Sequence, residues 1–382
     1  MYPFPKIGIL GGGQLGKMMA ISVADWHLQL AFLDQSQDFP AGMLTHKFTE
    51  GNFKNYDDVY HFGKNMDVLS IEIEHVSTEA LKELEKEGKI IHPAPDTLEL
   101  IKDKGEQKLF YRKNNIPTSD FILVPSKQDI LKKLETKELA YPFVQKTRTA
   151  GYDGKGVAVI KGVKDLDKVM DAPSVIEDLV RIEKELAVIV ARRPSGEVKA
   201  YPVVEMEFNP VANLVEFLVC PAQVEEEVAK KATELAIEVA EKMDICGLLA
   251  VEEFLTKDGE ILINEVAPRP HNSGHHTIDS CYTSQFEQHI RAILDLPLGS
   301  TKLKSKGVMV NLLGHPDHTG PAYYDGLEDC LAMEGVYVHI YGKATTKPYR
   351  KMGHVTVIGE DMKVVKEKAA TVKNTLRVIS KK

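Results

Sequence analysis

Residues 141–160 read YPFVQKTRTAGYDGKGVAVI. YPFVQKT (141–147) and KGVAVI (155–160) are β-type runs, and RTAGYDGKG between them puts three glycines in the connecting turn. The pattern is strand, glycine turn, strand, which differs from a βαβ crossover. Lys146, Arg148 and Lys155 flank the glycines. A loop so built can fold over the phosphates of ATP while Lys146 and Lys155 offset their charge. The plainer reading is an exposed basic hairpin, so the surrounding sequence has to decide.

Upstream, KIGILGGGQLG (6–16) runs a short apolar stretch into Gly11, Gly13 and Gly16, and Leu15, Met18 and Met19 follow at helical spacing. LQLAFLD (28–34) ends in Asp34, and DVLSIEIEHV (67–76) is a third β-type run. Strands alternating with helices give an open α/β domain over about the first 95 residues. Alone, G-x-G-x-x-G with an acidic residue beyond it suggests a dinucleotide and an NAD-dependent dehydrogenase. Any phosphorylated ligand can use the same helix N-terminus, and a tight turn needs no ligand. HPAPD (92–96) reads as a linker, and one helical segment is expected from about Thr97 to Asn114. Lys104 and Lys108 lie one turn apart on it, either joining the cationic cluster or facing solvent; taken alone, solvent is favoured.

Downstream, SVIEDLV (174–180) and ELAVIVAR (185–192) read as strands, and Val224, Val228, Leu235, Val239 and Met243 share one helical face. LLAVEEFL and EILINEVAP are β-type runs separated by the turn signal TKDG. They put Glu252 and Glu265 at similar depth, so the carboxylates can converge on one face. Mg²⁺ takes one or two protein carboxylates and leaves the rest to phosphate and water. A lone strand glutamate is ordinarily a salt-bridge partner; two of them beyond a phosphate loop reverse that. In APRPHNSGHHT, His271 and His275 have H-x-x-x-H spacing, but Pro268, Pro270 and Gly274 interrupt any helix and zinc is discounted. A proline-rich loop presenting Arg269, His271 and Asn272 suits a polar ligand beside a metal–nucleotide site. GVMVNLLG and GVYVHIYG read as short strands, and YGKATTKPYRKMGHV sets Lys343, Arg350 and Lys351 around a turn, a phosphate clamp if it folds back. Val365, Ala369, Val372, Leu376 and Ile379 are in register for a final helix.

The chain has 382 residues with 48 Lys and Arg against 56 Asp and Glu, a net charge of −8. That length suggests about two or three domains. Hydrophobic residues at 43% and charged residues at 27% exclude collagen-like, disordered and membrane-spanning classes for the bulk of the chain. The N-terminus lacks a basic region ahead of its apolar run, which argues against a secretory signal and for the cytoplasm. The acidic balance argues against a nucleic-acid surface. Cys220, Cys246, Cys281 and Cys330 form no CxxC pair and read as reduced thiols.

With all of these in one order, GILGGGQLGKMM, SIEIEHV, RTAGYDGKG, AVEEF, NEVAPRPHNSGH, SQFEQHIRAILDLPLG and YGK…YRKMGH resemble the motifs of the ATP-grasp enzymes. The likeness is closest to the 5-(carboxyamino)imidazole ribonucleotide synthases of purine biosynthesis and covers nearly the whole chain. It implies a mixed α/β and α+β architecture. A Rossmann-like domain (1–95) would precede an ATP-grasp domain of two subdomains with the nucleotide between them (96–298). A small C-terminal β-rich domain with a final helix (299–382) would follow.

By position, the resemblance implies Lys104 and Lys146 at the nucleotide phosphates, and Gly151, Tyr152, Asp153, Gly154, Lys155, Gly156 and Val157 as the loop over ATP. Glu177, Asp178, Leu179 and Val180 would meet the adenine and Glu185 the ribose. Glu252 and Glu265 would be Mg²⁺ ligands with Asn264 beside them, and two ions are expected. Ala267 stands where many ATP-grasp members have an asparagine metal ligand, a departure the closer family shares. Gln14, Glu74, Tyr152, Asp153, Lys155, Arg269, His271, Asn272, Lys343 and Arg350 would hold aminoimidazole ribonucleotide and the bicarbonate-derived group. The implied reaction is ATP-dependent carboxylation of that ribonucleotide by bicarbonate through carboxyphosphate, with Asp153 or His271 managing the proton and Arg269 on the transferred group. A homodimer is implied too. The alternatives are another ATP-grasp ligase, such as a formate-dependent ribonucleotide transformylase, and the dehydrogenase.

Overall fold

The computed structural model describes residues 3–149, 156–209 and 214–381. Ile7–Leu10, Leu30–Asp34 and Val68–Ile71 are buried along their whole length, as strands covered on both faces must be. With Phe48–Glu50 and Ile90–Ile91 at the edges they form a five-stranded parallel sheet in the order 48–50, 30–34, 7–10, 68–71, 90–91. Gly11 begins the turn into the helix Gln14–Ser22 at φ +107°, a conformation that favours a residue without Cβ. Met18 and Met19 share a core with Phe286, Ile290 and Ile293 of the helix Gln285–Ile293, so this first domain is bound into the next.

Phe143–Thr147 and Val157–Ile160 pair antiparallel, with Lys146 opposite Val157, in a four-stranded sheet completed by Phe121–Val124 and Ser174–Asp178. The larger sheet runs Ile261–Ala267, Gly247–Thr256, Ile182–Arg192, Val204–Phe208, Val215–Cys220, Lys306–Leu313, Lys351–Gly359, Val336–Ile340. It crosses residue 299 without a break, because Phe217–Cys220 and Gly307–Val310 pair with each other. The helix Glu226–Lys242 covers it, burying Ala232, Leu235, Ala236, Val239 and Ala240 against Leu186, Val188, Val190, Leu249 and Val251. Among the described residues no helix is long and apolar enough to cross a membrane, and all four cysteines are unpaired.

Four expectations change. The segment from Thr97 is two helices, Pro95–Lys102 and Lys104–Lys113. Asp103 breaks it in extended conformation, its carboxylate accepting from the amides of Gly105 and Glu106 as the cap of the second helix. Lys108 does not face solvent; it is 3% exposed and paired with Glu177. The third N-terminal strand ends at Ile71 instead of running to Val76. Leu376 and Ile379 lie outside the final helix, Met362–Thr375; Leu376 follows it in extended conformation, and Ile379 belongs to the strand Arg377–Ser380, opposite Tyr323.

Candidate active site

The glycine turn is closed by the protein itself. Gly12 donates its amide to Asp34 Oδ2 (2.7 Å), Gly13 to Glu72 Oε1 (2.6 Å) and Gly16 to Glu72 Oε2. Gly13 has no side chain to cap the helix, so Glu72 supplies the anion from across the sheet. Its carboxylate sits on the amides that bind phosphate in a dinucleotide fold, and burial pushes it up to about 7. A Cβ on Gly16 would lie 2.8 Å from Phe32 and 2.9 Å from Glu72, which accounts for the third glycine without a ligand.

Glu252 and Glu265 stand opposite each other across the strands Gly247–Thr256 and Ile261–Ala267. The register shifts just after them, leaving Asn264 unmatched in the ladder, and its Oδ1 accepts from Lys146 Nζ at 2.7 Å. Lys104 pairs with Glu265. Burial pushes Glu252 up, aided by Glu265 and Glu185. Burial alone would raise Glu265 too, but Lys104, Lys146 and Arg269 outweigh it and hold it low. Glu185, on the next strand, is pushed up to about 7 by burial.

Lys146 also meets Glu177 Oε2 at 3.1 Å, and Lys108 meets Glu177 Oε1 at 3.2 Å. Ser119 donates to the same carboxylate at 2.9 Å. Burial brings Lys108 down to about 8 in spite of that pairing. Asp178 ends its strand with an exposed side chain, and Leu179 and Val180 lead into the strand Ile182–Arg192. Gly156 and Val157 open the second strand of the hairpin, the amide of Thr147 bonding to the Gly156 carbonyl at 2.8 Å. Gly151, Tyr152, Asp153, Gly154 and Lys155 lie outside the described residues. At the base of that segment Arg148 grips Asp103 with two nitrogens (2.8 and 2.7 Å) and reaches Glu106 at 2.9 Å.

Glu252, Glu265, Arg269, His271 and Asn272 line a cavity of about 760 Å³. Gln14, Glu72 and Glu74 of the first domain, Lys104, Arg148, Ala267, Tyr341 and Lys351 complete this part of its wall. Arg269 pairs with Glu74 at 2.8 Å and ties the two domains together there. His271 Nε2 is 3.8 Å from Glu252 Oε1 and its Nδ1 is 2.9 Å from Ser273 Oγ. Burial holds its imidazole well below the usual range. Asn272 exchanges hydrogen bonds with Asn311 (2.9 and 3.0 Å). Lys343 donates to the Lys351 carbonyl at 2.7 Å and Arg350 to the Thr345 carbonyl at 2.7 Å, and neither lines the cavity. Tyr341 and Lys351, their near neighbours, do. Sequence reading missed Glu72, Arg148 as a clamp, and Tyr341. Glu72 was legible only as the first acid of EIE; nothing local says which of two alternate glutamates turns back to a helix 56 residues earlier.

The donor set fits a hard cation: two carboxylates opposite each other, an amide oxygen alongside, and lysines in place to balance phosphate charge. Lysines from the four-stranded sheet and from the helix Lys104–Lys113 reach Glu265 and Asn264 on the larger sheet, and this meeting of two sheets over facing carboxylates defines an ATP-grasp ligase.

Family models agree. The ribonucleotide synthetase preATP-grasp domain matches residues 4–102, the ATP-grasp domain 109–286, and the phosphoribosylaminoimidazole carboxylase C-terminal domain 307–368. The N5-carboxyaminoimidazole ribonucleotide synthase of Bacillus subtilis is 37% identical over 360 residues, 93% of this chain and 92% of the relative. The crystal structure of N5-carboxyaminoimidazole ribonucleotide synthetase from Thermotoga maritima superposes with a TM-score of 0.91 at 45% identity, covering 99% of this chain and 100% of that one. This chain belongs to the N5-carboxyaminoimidazole ribonucleotide synthase family. The chloroplastic phosphoribosylaminoimidazole carboxylase of Vigna aconitifolia is 38% identical over 373 residues, and the chain spans 66% of that relative's length.

Proposed function

We propose that the chain carboxylates the amine of 5-aminoimidazole ribonucleotide with bicarbonate at the expense of ATP, giving 5-(carboxyamino)imidazole ribonucleotide, ADP and phosphate. One observation carries this reading: the Glu252–Glu265 pair and the polar residues Arg269, His271 and Asn272 face a single cavity that also takes in Gln14 and Glu74. The proposed metal ligands and the proposed acceptor-binding groups therefore share one volume.

Bicarbonate is a poor electrophile, and transfer of the γ-phosphoryl group to one of its oxygens gives carboxyphosphate. Glu252 and Glu265, beside Asn264, would hold Mg²⁺, which neutralises phosphate charge when bound. Lys104 and Lys146 bind the phosphates, and Arg269 stabilises charge on the transferred group. Glu177 to Val180 take the adenine and Glu185 the ribose. Carboxyphosphate, or CO₂ released from it, meets the ribonucleotide amine held nearby, and excluding water prevents futile hydrolysis. Burial keeps His271 neutral, and His271 or Asp153 manages the proton. Tyr152, Lys155, Lys343 and Arg350 are assigned to substrate, and residues 151–157 to the nucleotide cover, on the family resemblance. Two metal ions and a homodimer rest on that resemblance as well, and a cytoplasmic location on the composition and hydropathy of the sequence.

Phosphate release is measured with MgATP, bicarbonate and aminoimidazole ribonucleotide, omitting each in turn. Full turnover is expected only with all three. Turnover that ignores the ribonucleotide, or that needs formate in place of bicarbonate, overturns the reading.

A further inference from the structure

Behind the cavity wall formed by Tyr341 and His275 lies a group of histidines that the reaction as described leaves unused. His354, on the strand Lys351–Gly359, is fully buried. Its Nδ1 is 3.2 Å from the Tyr341 hydroxyl, and its ring centroid is 4.8 Å from that of His275. On its other side it stacks on His339 with centroids 4.4 Å apart. His339 Nε2 lies 2.8 Å from Asp279 Oδ2, and the His339 side chain is 26% exposed. The run Tyr341, His354, His339, Asp279 therefore leads from the cavity to the surface.

A second observation falls at the same place. His354 Nε2 and Thr356 Oγ1 on that strand, and His276 Nε2 at the start of the helix Thr277–Ser280 packed against it, are buried polar atoms with no protein partner among the described residues. Orphaned polar atoms gathered between two elements call for bound water or a function that uses them. Burial and the neighbouring histidines hold His354 well below the imidazole range, so its ring is neutral at rest and passes on any proton it accepts. Burial pushes the Tyr341 phenol up, which keeps its proton available for transfer.

We propose that His354, backed by His339 and Asp279, is a proton exit from the active-site cavity. The inference rests on the carboxylation described above. The amine lone pair forms the new C–N bond to the carboxyl carbon. The nitrogen then sheds one N–H proton and keeps the bonding pair. That proton passes to the Tyr341 oxygen as the hydroxyl gives its own to His354 Nδ1. His354 releases the proton on Nε2 to a water, which hands it to the His339–Asp279 pair at the surface, and tautomerisation of the ring from Nδ1–H back to Nε2–H restores the starting state. A cavity closed to bulk water during turnover needs such a route.

His339→Asn, at the partly exposed end, and His354→Gln are made in the full chain and assayed for ADP formation at saturating substrates. kcat is expected to fall about tenfold or more while KM for the ribonucleotide stays within about twofold. The solvent deuterium isotope effect on kcat should grow, and added imidazole should restore turnover to His339→Asn. Unchanged kcat in His339→Asn, or a loss that imidazole does not relieve, overturns the exit, and this variant alone decides if His354→Gln fails to fold. If the unaltered chain forms no ADP in response to the ribonucleotide, it is the carboxylation reading that fails.

Discussion

Glu252 and Glu265 face each other across an antiparallel pair, and the bulge beside them turns Asn264 to Lys146. Two carboxylates so close repel unless a cation shares them, and Lys104 takes that place on Glu265. Glu265→Ala is expected to abolish ATP turnover, a loss of about 10²-fold or more. Ribonucleotide-dependent ADP release from a variant with unchanged circular dichroism measures it, and a near-normal rate contradicts the metal assignment.

Glu177, 3% exposed, holds Lys108 and Lys146 together. Glu177→Ala leaves two enclosed ammonium groups without their carboxylate and should cost about 3–5 kcal/mol, read from the urea midpoint. Burial alone would raise Glu177, but Lys146 and Lys108 outweigh it and hold it below its ordinary 4.5. Its contribution is thus present above pH 4.5 and lost as pH falls through the lower folded value. The variant should show a flatter acid limb than the unaltered chain.

Glu253 points away from Glu252, is 0% exposed, and neither of its carboxyl oxygens has a partner among the described residues. Burial raises it well above 4.5, so it folds protonated. Stability from this group is complete below pH 4.5 and declines as pH rises, by about 1.4 kcal/mol per unit until the folded value is reached. Glu253→Leu should therefore stabilise the chain at neutral pH and show a gain that shrinks toward pH 4.5. Denaturation of both proteins across that range tests it, and a pH-independent difference refutes it.

Glu72 caps the helix Gln14–Ser22 from a distant strand end. Glu72→Ala should lower stability by about 1–2 kcal/mol, measured by urea unfolding. NAD(H) binding by the unaltered chain, tested by calorimetry, is expected to be absent because the carboxylate already holds the amides that would take the pyrophosphate.

Much of the fold was legible because its signals are local. The run IGIL followed by GGGQLG announces strand, turn and helix, and the apolar stripe from Leu235 to Met243 announces a buried helix face. Asp103 was harder to read. Capping residues also occur within helices, and here a break was decided by Arg148, 45 residues on, gripping its carboxylate. Lys108 misled for a similar reason, since a lysine one turn from another reads as a solvated face until Glu177 is brought beneath it.

The sequence by itself determined the opening strand, turn and helix, the two strands that flank the second glycine turn, and the two glutamates on neighbouring strands, because periodicity, turn chemistry and glycine geometry act over a few residues. Tertiary structure alone decided that Glu72 rather than a phosphate fills the first glycine turn, that Lys104 meets Glu265 across 161 residues, and that His354 stands behind Tyr341. Those contacts depend on how whole sheets pack, and no local pattern encodes which buried charge will find which partner.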